Sequence, residues 1–110
     1  MDRSIQFSLI SKTREKNEFG LYEETVTLKS VYGQISSVSA SEFFAAGQNG
    51  FKPEYRLTMF EPDYSGEDEV VIGNVIYSVY RTYHARNDMI ELYVERRAGN
   101  QMEEDDEGNS

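Results

Sequence analysis

Across residues 55–97, apolar and polar positions alternate through short runs separated by turn signals. Leu57 and Met59 share one phase of YRLTMF, while Val75, Tyr77, Val79 and Tyr83 share one phase of VIYSVYRTY. Ile90, Leu92 and Val94 do the same in MIELYVE. Side chains two apart lie on one face of a strand, so this period predicts strands with one buried face, joined as an antiparallel meander. Gly73-Asn74, between VVI and VIY, reads as a two-residue hairpin turn, and residues 85–88 as the last turn. An acidic, turn-rich connection holding Asp63, Gly66, Glu67 and Asp68 precedes them.

The first half of the chain carries the same period. Ile5, Phe7 and Leu9 alternate in a strand over residues 4–10, and a polar loop over 11–20 follows. The loop exit, Asn17 to Gly20, looks like a hairpin turn in which Gly20 supplies positive φ. Residues 21–28 and 31–38 read as strands two and three, and Gly33 within the third allows a bulge or a close approach of two backbones. Ser39 and Glu42 have the spacing of a capping box that opens a helix over residues 40–46. Phe43, Phe44 and Ala46 cannot all face one core from a helix so short. Gly47, Gln48, Asn49 and Gly50 end it, Pro53 blocks a restart, and mobile backbone is expected over 48–52. The whole reads as a mainly β protein, a small antiparallel β-barrel or sandwich of six to seven strands with one short helix, forming one domain over residues 1–98.

Composition narrows what such a domain can do. Eight Tyr and six Phe supply much of the core of a 110-residue chain that has no Trp. Tyr77 and Tyr83 share the apolar phase and are expected in the core, whereas Tyr80 and Tyr93 lie on the opposite faces of their strands and, as exposed aromatics, suit a protein contact. The chain has no Cys, which excludes a disulfide framework and a thiolate metal site. No apolar run approaches the ~20 residues that span a bilayer, and the first dozen residues lack a hydrophobic signal core, so a cytosolic origin without membrane attachment is expected.

The formal net charge is −9, and five of the acids are Glu103, Glu104, Asp105, Asp106 and Glu107; without them the remainder stands at −4. Residues 99–110 are accordingly expected to be a disordered, acidic, solubilising tail. Lys12, Arg14 and Lys16 form the one basic cluster, and Glu15 interrupts it in sequence. Avid binding to the outside of nucleic acid needs clustered cations to displace counterions, and this chain is not built for it.

Catalytic constellations do not assemble on paper. His84 is the single histidine, and it sits beside the last turn, where an ordinary exposed residue is expected. A helix-loop-helix calcium loop counted from Asp63 needs Gly sixth and Glu twelfth, and those positions hold Asp68 and Asn74. No pair among the twenty acids stands out as a glycosidase pair, and Gly47 and Gly50 follow a helix instead of opening one, so no phosphate cradle forms. Base stacking by Tyr77, Tyr80, Tyr83 and Tyr93 would need interleaved cations, and only Arg81 and Arg86 qualify. No catalytic, cofactor-binding or metal-binding residues are assigned.

Taken in order, these features resemble the head-tail joining proteins of long-tailed phages, also called head-closure or stopper proteins. The similarity runs over about residues 4–97. It rests on the opening strand with Ile5 to Ile10, the turn at Asn17 and Gly20, and the pair of strands with Val31, Tyr32, Gly33, Gln34 and Ile35. It continues through the acid-bearing segment Ser39, Ala40, Ser41 and Glu42, then the run from Tyr55, Arg56 and Leu57 through Glu69 to Tyr77, and ends at Ile90, Glu91 and Leu92. Tyr32 stands where the family usually has Trp, and the acids from Asp63 to Glu69 lengthen a turn that is usually short.

The resemblance implies a non-enzymatic virion protein that needs no cofactor. It would form a ring, sixfold or twelvefold, in the head-tail connector, close the DNA-filled head and present the surface to which the tail attaches. Implied partners are the portal or adaptor proteins, a tail-completion protein, and packaged DNA passing through the channel without sequence-specific contact. The implied location is the head-tail interface of the virion, and the host cytoplasm during assembly. By order of elements, Gln48, Asn49, Gly50, Phe51 and Lys52 would form a channel-gating loop. Tyr80, Tyr93, Asp63, Glu67 and Asp68 are the candidate subunit or partner contacts. The alternatives are a tail-completion or tail-terminator ring protein and a monomeric barrel that binds oligonucleotides or another ligand.

Overall fold

Nearly every apolar phase read from the chain lands on one side of a sheet, and the sheet closes around them. The computed structural model describes residues 3–101. Its elements are β1 (Arg3–Lys16), β2 (Tyr22–Ser36), α1 (Ala40–Gln48), β3 (Pro53–Phe60), a 3-10 turn (Glu61–Asp63), β4 (Glu69–Ile72), β5 (Val75–His84) and β6 (Met89–Gln101). The six strands form a closed barrel in the order β1-β2-β3-β6-β5-β4, with every neighbouring pair antiparallel. β4, β5 and β6 are a true meander; β3 pairs with β6 and not with its successor β4, which corrects the simple meander expected over residues 55–97. β6 runs to Gln101, and the rest of the expected acidic tail lies outside the described residues.

The barrel interior is Phe7, Leu9, Val31, Ile35, Leu57, Met59, Val70, Tyr77, Ile90, Leu92 and Val94, contributed by all six strands. Each fully buried Leu or Val stabilises the fold by ~1.5–3 kcal/mol relative to leaving it in water. A chain without disulfides depends on that term.

Three sequence expectations are corrected. The polar loop expected over 11–20 is largely strand, because β1 continues through Lys16. Strands two and three are one strand, β2, since no Gly, Pro, Asn or Asp stands between them and Lys29 and Ser30 continue the pairing, opposite Leu9 and Ser8. Tyr83 is exposed, not in the core. The cause of this last difference is a β-bulge: Val79 pairs with Val94 and Arg81 with Tyr93, so Tyr80 is an extra residue. One inserted residue inverts the alternation, which places Thr82 opposite the buried Leu92 and turns Tyr83 outward opposite Glu91.

Two glycines have distinct causes. Gly20 has φ +80°, and with Gly20 N–H donating to the Asn17 carbonyl at 3.0 Å it closes the β1–β2 turn; the Asn17 side chain also accepts from the Phe19 and Leu21 amides. Gly33 is the close-approach case. A Cβ there would lie 2.3 Å from the Thr58 carbonyl oxygen of β3.

Candidate functional site

The helix sits outside the barrel and buries little of its own surface: Ala46 is its one buried residue. Ser39 caps it, accepting from the Glu42 amide at 3.1 Å. The reciprocal half of the expected capping box is absent, because the Glu42 carboxylate reaches across to β5 instead. It accepts from Tyr80 Oη at 2.8 Å and from Arg81 Nη2 at 2.6 Å. The bulge makes this possible, since it re-aims Tyr80 from the sheet toward α1. Arg81 also covers the Tyr93 ring, with its guanidinium carbon 4.1 Å from the centroid. Nothing in the sequence marks a partnership between residues 39 positions apart.

Gln48, Asn49, Gly50, Phe51 and Lys52 follow directly. Gln48 is the last helical residue, Asn49 caps the helix, and Gly50 has φ +85°. The Phe51 amide donates to the Ala46 carbonyl at 3.0 Å, and the Lys52 amide donates to Glu95 Oε1 at 3.0 Å. The Phe51 ring stacks on Tyr80 at 4.8 Å. The segment expected to be mobile is therefore folded against the barrel wall. Beside it, Glu42, Asn49, Phe51 and Arg81 line a shallow groove of ≈ 140 Å³. The outer side of α1 presents Phe43 and Phe44 to solvent.

This packing corrects the expectation that Tyr80 and Tyr93 are exposed. Tyr93 is 8% exposed and Tyr80 is half-buried under Phe51. Both hydroxyls donate to carboxylates, Tyr80 to Glu42 and Tyr93 to Glu91. Burial and that hydrogen bond to Glu42 push the Tyr80 hydroxyl well above its ordinary range.

Burial alone would raise the Glu42 carboxyl, but the Arg81 and Tyr80 hydrogen bonds and the Arg81 charge together outweigh it, and the net direction is down. A carboxyl whose folded pKa lies below its ordinary 4.5 contributes stability that is complete above that value and is lost as pH falls through the lowered one. Acidification below about pH 4.5 is therefore expected to detach α1 from β5, read as loss of near-ultraviolet circular dichroism from the Phe51–Tyr80 stack. Glu42→Gln should lack that acid step; an unchanged step would assign it to another carboxylate.

The acidic turn is fastened by side chains that donate to its carbonyls. Asp63 ends the 3-10 turn, and its carbonyl accepts from Lys29 Nζ at 2.9 Å. Tyr64 Oη donates to the Glu67 carbonyl at 2.6 Å, and burial with the nearby Glu67 and Asp68 charges pushes that phenol up to about 12. Glu67, Asp68 and Glu69 edge a cleft of ≈ 570 Å³ whose lining includes Ile10 and Val79. No grouping of three or more His, Asp or Glu side chains that could hold a metal occurs among the described residues. His84 is exposed, with Nδ1 2.8 Å from Glu61 Oε2.

One feature escaped the sequence reading. β4 pairs with β1 only over Ser8 to Ile10, and β3 pairs with β2 only over Gly33 to Ser36. From Ser11↔Thr27 to Lys16↔Tyr22 the two strands pair with each other alone, forming an arm that extends roughly 20 Å from the barrel at ~3.4 Å per residue. The only sequence sign of it was the alternation of Thr25, Val26, Thr27 and Leu28 in the strand expected over 21–28, which supplies the partner for residues 11–16.

No helix among the described residues is long and apolar enough to cross a membrane. No curated protein matches the chain. The model of the phage head completion protein family matches residues 1–98, which includes the arm, α1, the acidic turn and nearly the whole barrel. With that match across most of its length, the chain belongs to the phage head completion protein family, and its role is that of a structural protein of the phage head.

Proposed function

We propose that this protein forms a ring in the head-tail connector, closes the DNA-filled head and offers the surface on which the tail docks. The observation that carries this reading is the family match over residues 1–98. The barrel supports it as a rigid frame, with α1 and the arm as appended elements outside the core. The ring, sixfold or twelvefold, would sit between the portal or adaptor proteins and a tail-completion protein. It would be built from subunits present in the host cytoplasm during assembly.

Residues 39–55 are the proposed channel segment, with Gln48, Asn49, Gly50, Phe51 and Lys52 as its gating tip. They are attached through the Glu42 clamp and the Phe51–Tyr80 stack, with Phe43 and Phe44 left in water. An element with so little buried surface has low local stability and can swing when neighbouring subunits offer partners. Like charges on the channel wall and the DNA would keep passage free of adhesion, which suits a chain that stands at −4 even without its five terminal acids. Asp63, Glu67 and Asp68 remain proposed contact residues, whereas the Tyr93 ring is already covered within its own subunit.

Deleting the gene from the parent phage and imaging the products tests the reading. Filled heads that leak DNA, beside separate finished tails, are expected. Normal heads with aberrant tails would overturn it in favour of a tail-completion or tail-terminator role.

A further inference from the structure

We infer, building on the ring reading above, that one face of the β1–β2 arm docks on a second copy of this chain, in the cleft beside its acidic turn. The pairing Lys12↔Val26, Arg14↔Glu24 and Lys16↔Tyr22 puts these six side chains on one face of the arm, because directly opposed residues point the same way. Glu15 pairs with Glu23 on the other face. The basic cluster that Glu15 interrupts in sequence is therefore continuous in space. Lys12 is already committed to Glu69 of its own turn at 3.3 Å. Arg14 and Lys16 instead lie over the Tyr22 ring, at 5.3 and 5.7 Å, and neither makes an ion pair among the described residues.

The same face exposes apolar surface. Tyr22 is 62% and Val26 52% exposed, and Leu28 continues the row toward the barrel. A two-stranded ribbon is marginal in water without a third strand or a covering surface, so this face calls for an occupant. DNA would satisfy the two cations and leave Val26 and Leu28 in water. A protein surface that is both acidic and apolar serves the cations and the apolar side chains together, Glu24 opposite Arg14 being the one acid on this face.

This chain carries such a surface. The ≈ 570 Å³ cleft has Glu67 and Asp68 at its edge and Ile10 and Val79 in its lining. The base of the arm borders that cleft through Ser11 and Lys12, and the outer half of the arm extends away from it, so the face beyond Lys12 meets the cleft of another copy and not its own. Arm-into-cleft is a heterologous contact, using two different patches, and contacts of that kind generate rings when the rotation closes.

The test places a photo-crosslinking amino acid at Val26, an exposed position on the arm, and irradiates purified tailed particles. The expected product is an adduct of two copies of the chain, mapping to residues 63–69. Arg14→Glu with Lys16→Glu should abolish it, and adding Glu67→Lys with Asp68→Lys should restore it. An adduct with DNA or with a different virion protein, or no adduct at all from particles that contain the chain, overturns the inference and leaves the ring reading standing. If the chain is missing from tailed particles, the ring reading falls. The purified chain irradiated at low salt then decides the arm contact by the same adduct, its appearance supporting the inference and its absence overturning it.

Discussion

Leu92→Ala is expected to lower the unfolding free energy by about 2–5 kcal/mol, a large part of the ~5–15 kcal/mol that holds a small domain together. Leu92 has no exposed surface and lies at the centre of the barrel, opposite Leu57 on β3 and Thr82 on β5. Truncation removes the transfer free energy of the side chain and leaves a cavity that two hydrogen-bonded neighbouring strands cannot collapse to fill. Urea denaturation should show a lower midpoint at unchanged slope, as a pure stability change requires. A loss below about 1 kcal/mol would mean that the barrel interior is not packed as described.

Gly33→Val is expected to cost about 3 kcal/mol or more, at or beyond the upper end of what forced overpacking usually does. The obstacle is the Thr58 carbonyl at 2.3 Å, with the Phe7 ring 3.1 Å away, and a backbone carbonyl cannot rotate aside as a side chain can. β2 and β3 pair only from Gly33↔Met59 to Ser36↔Arg56, so pushing Gly33 off Thr58 opens the barrel at a short seam. Hydrogen exchange should accelerate over residues 33–36 and 56–59, while the arm keeps its own pairing. Uniform acceleration throughout the chain would place the damage elsewhere.

Both effects trace to features that the sequence displayed. The phases of Phe7 and Leu9, of Leu57 and Met59, and of Ile90, Leu92 and Val94 all point into the barrel, and the Gly33 close approach follows from a glycine inside a strand. Period-two reasoning failed at Tyr80, where one bulged residue reverses the faces of everything after it on β5. A bulge is created by the partner strand's register, so residues 75–84 alone do not reveal it. The same long-range origin hid the clamp of Glu42 on Tyr80 and Arg81, and it hid the stacking of Phe51 on Tyr80. The arm was missed for a different reason. Lys12, Arg14, Glu15 and Lys16 look like loop composition, and they become strand only because Thr25, Val26 and Thr27 lie opposite to pair with them.

The acidic turn was legible as a turn but not as the edge of a cleft, because Ile10 and Val79 reach it from β1 and β5. Its carboxylates form a rim beside apolar lining, and the three cations on the arm share their face with Tyr22, Val26 and Leu28.

The most direct measurement is a cryo-electron microscopy reconstruction of the head-tail junction of the parent particle. The account predicts a closed ring of six-stranded barrels between portal and tail, with residues 48–52 turned toward the DNA channel. Barrels of this shape found only within the tail, or a junction with no such ring, would contradict it.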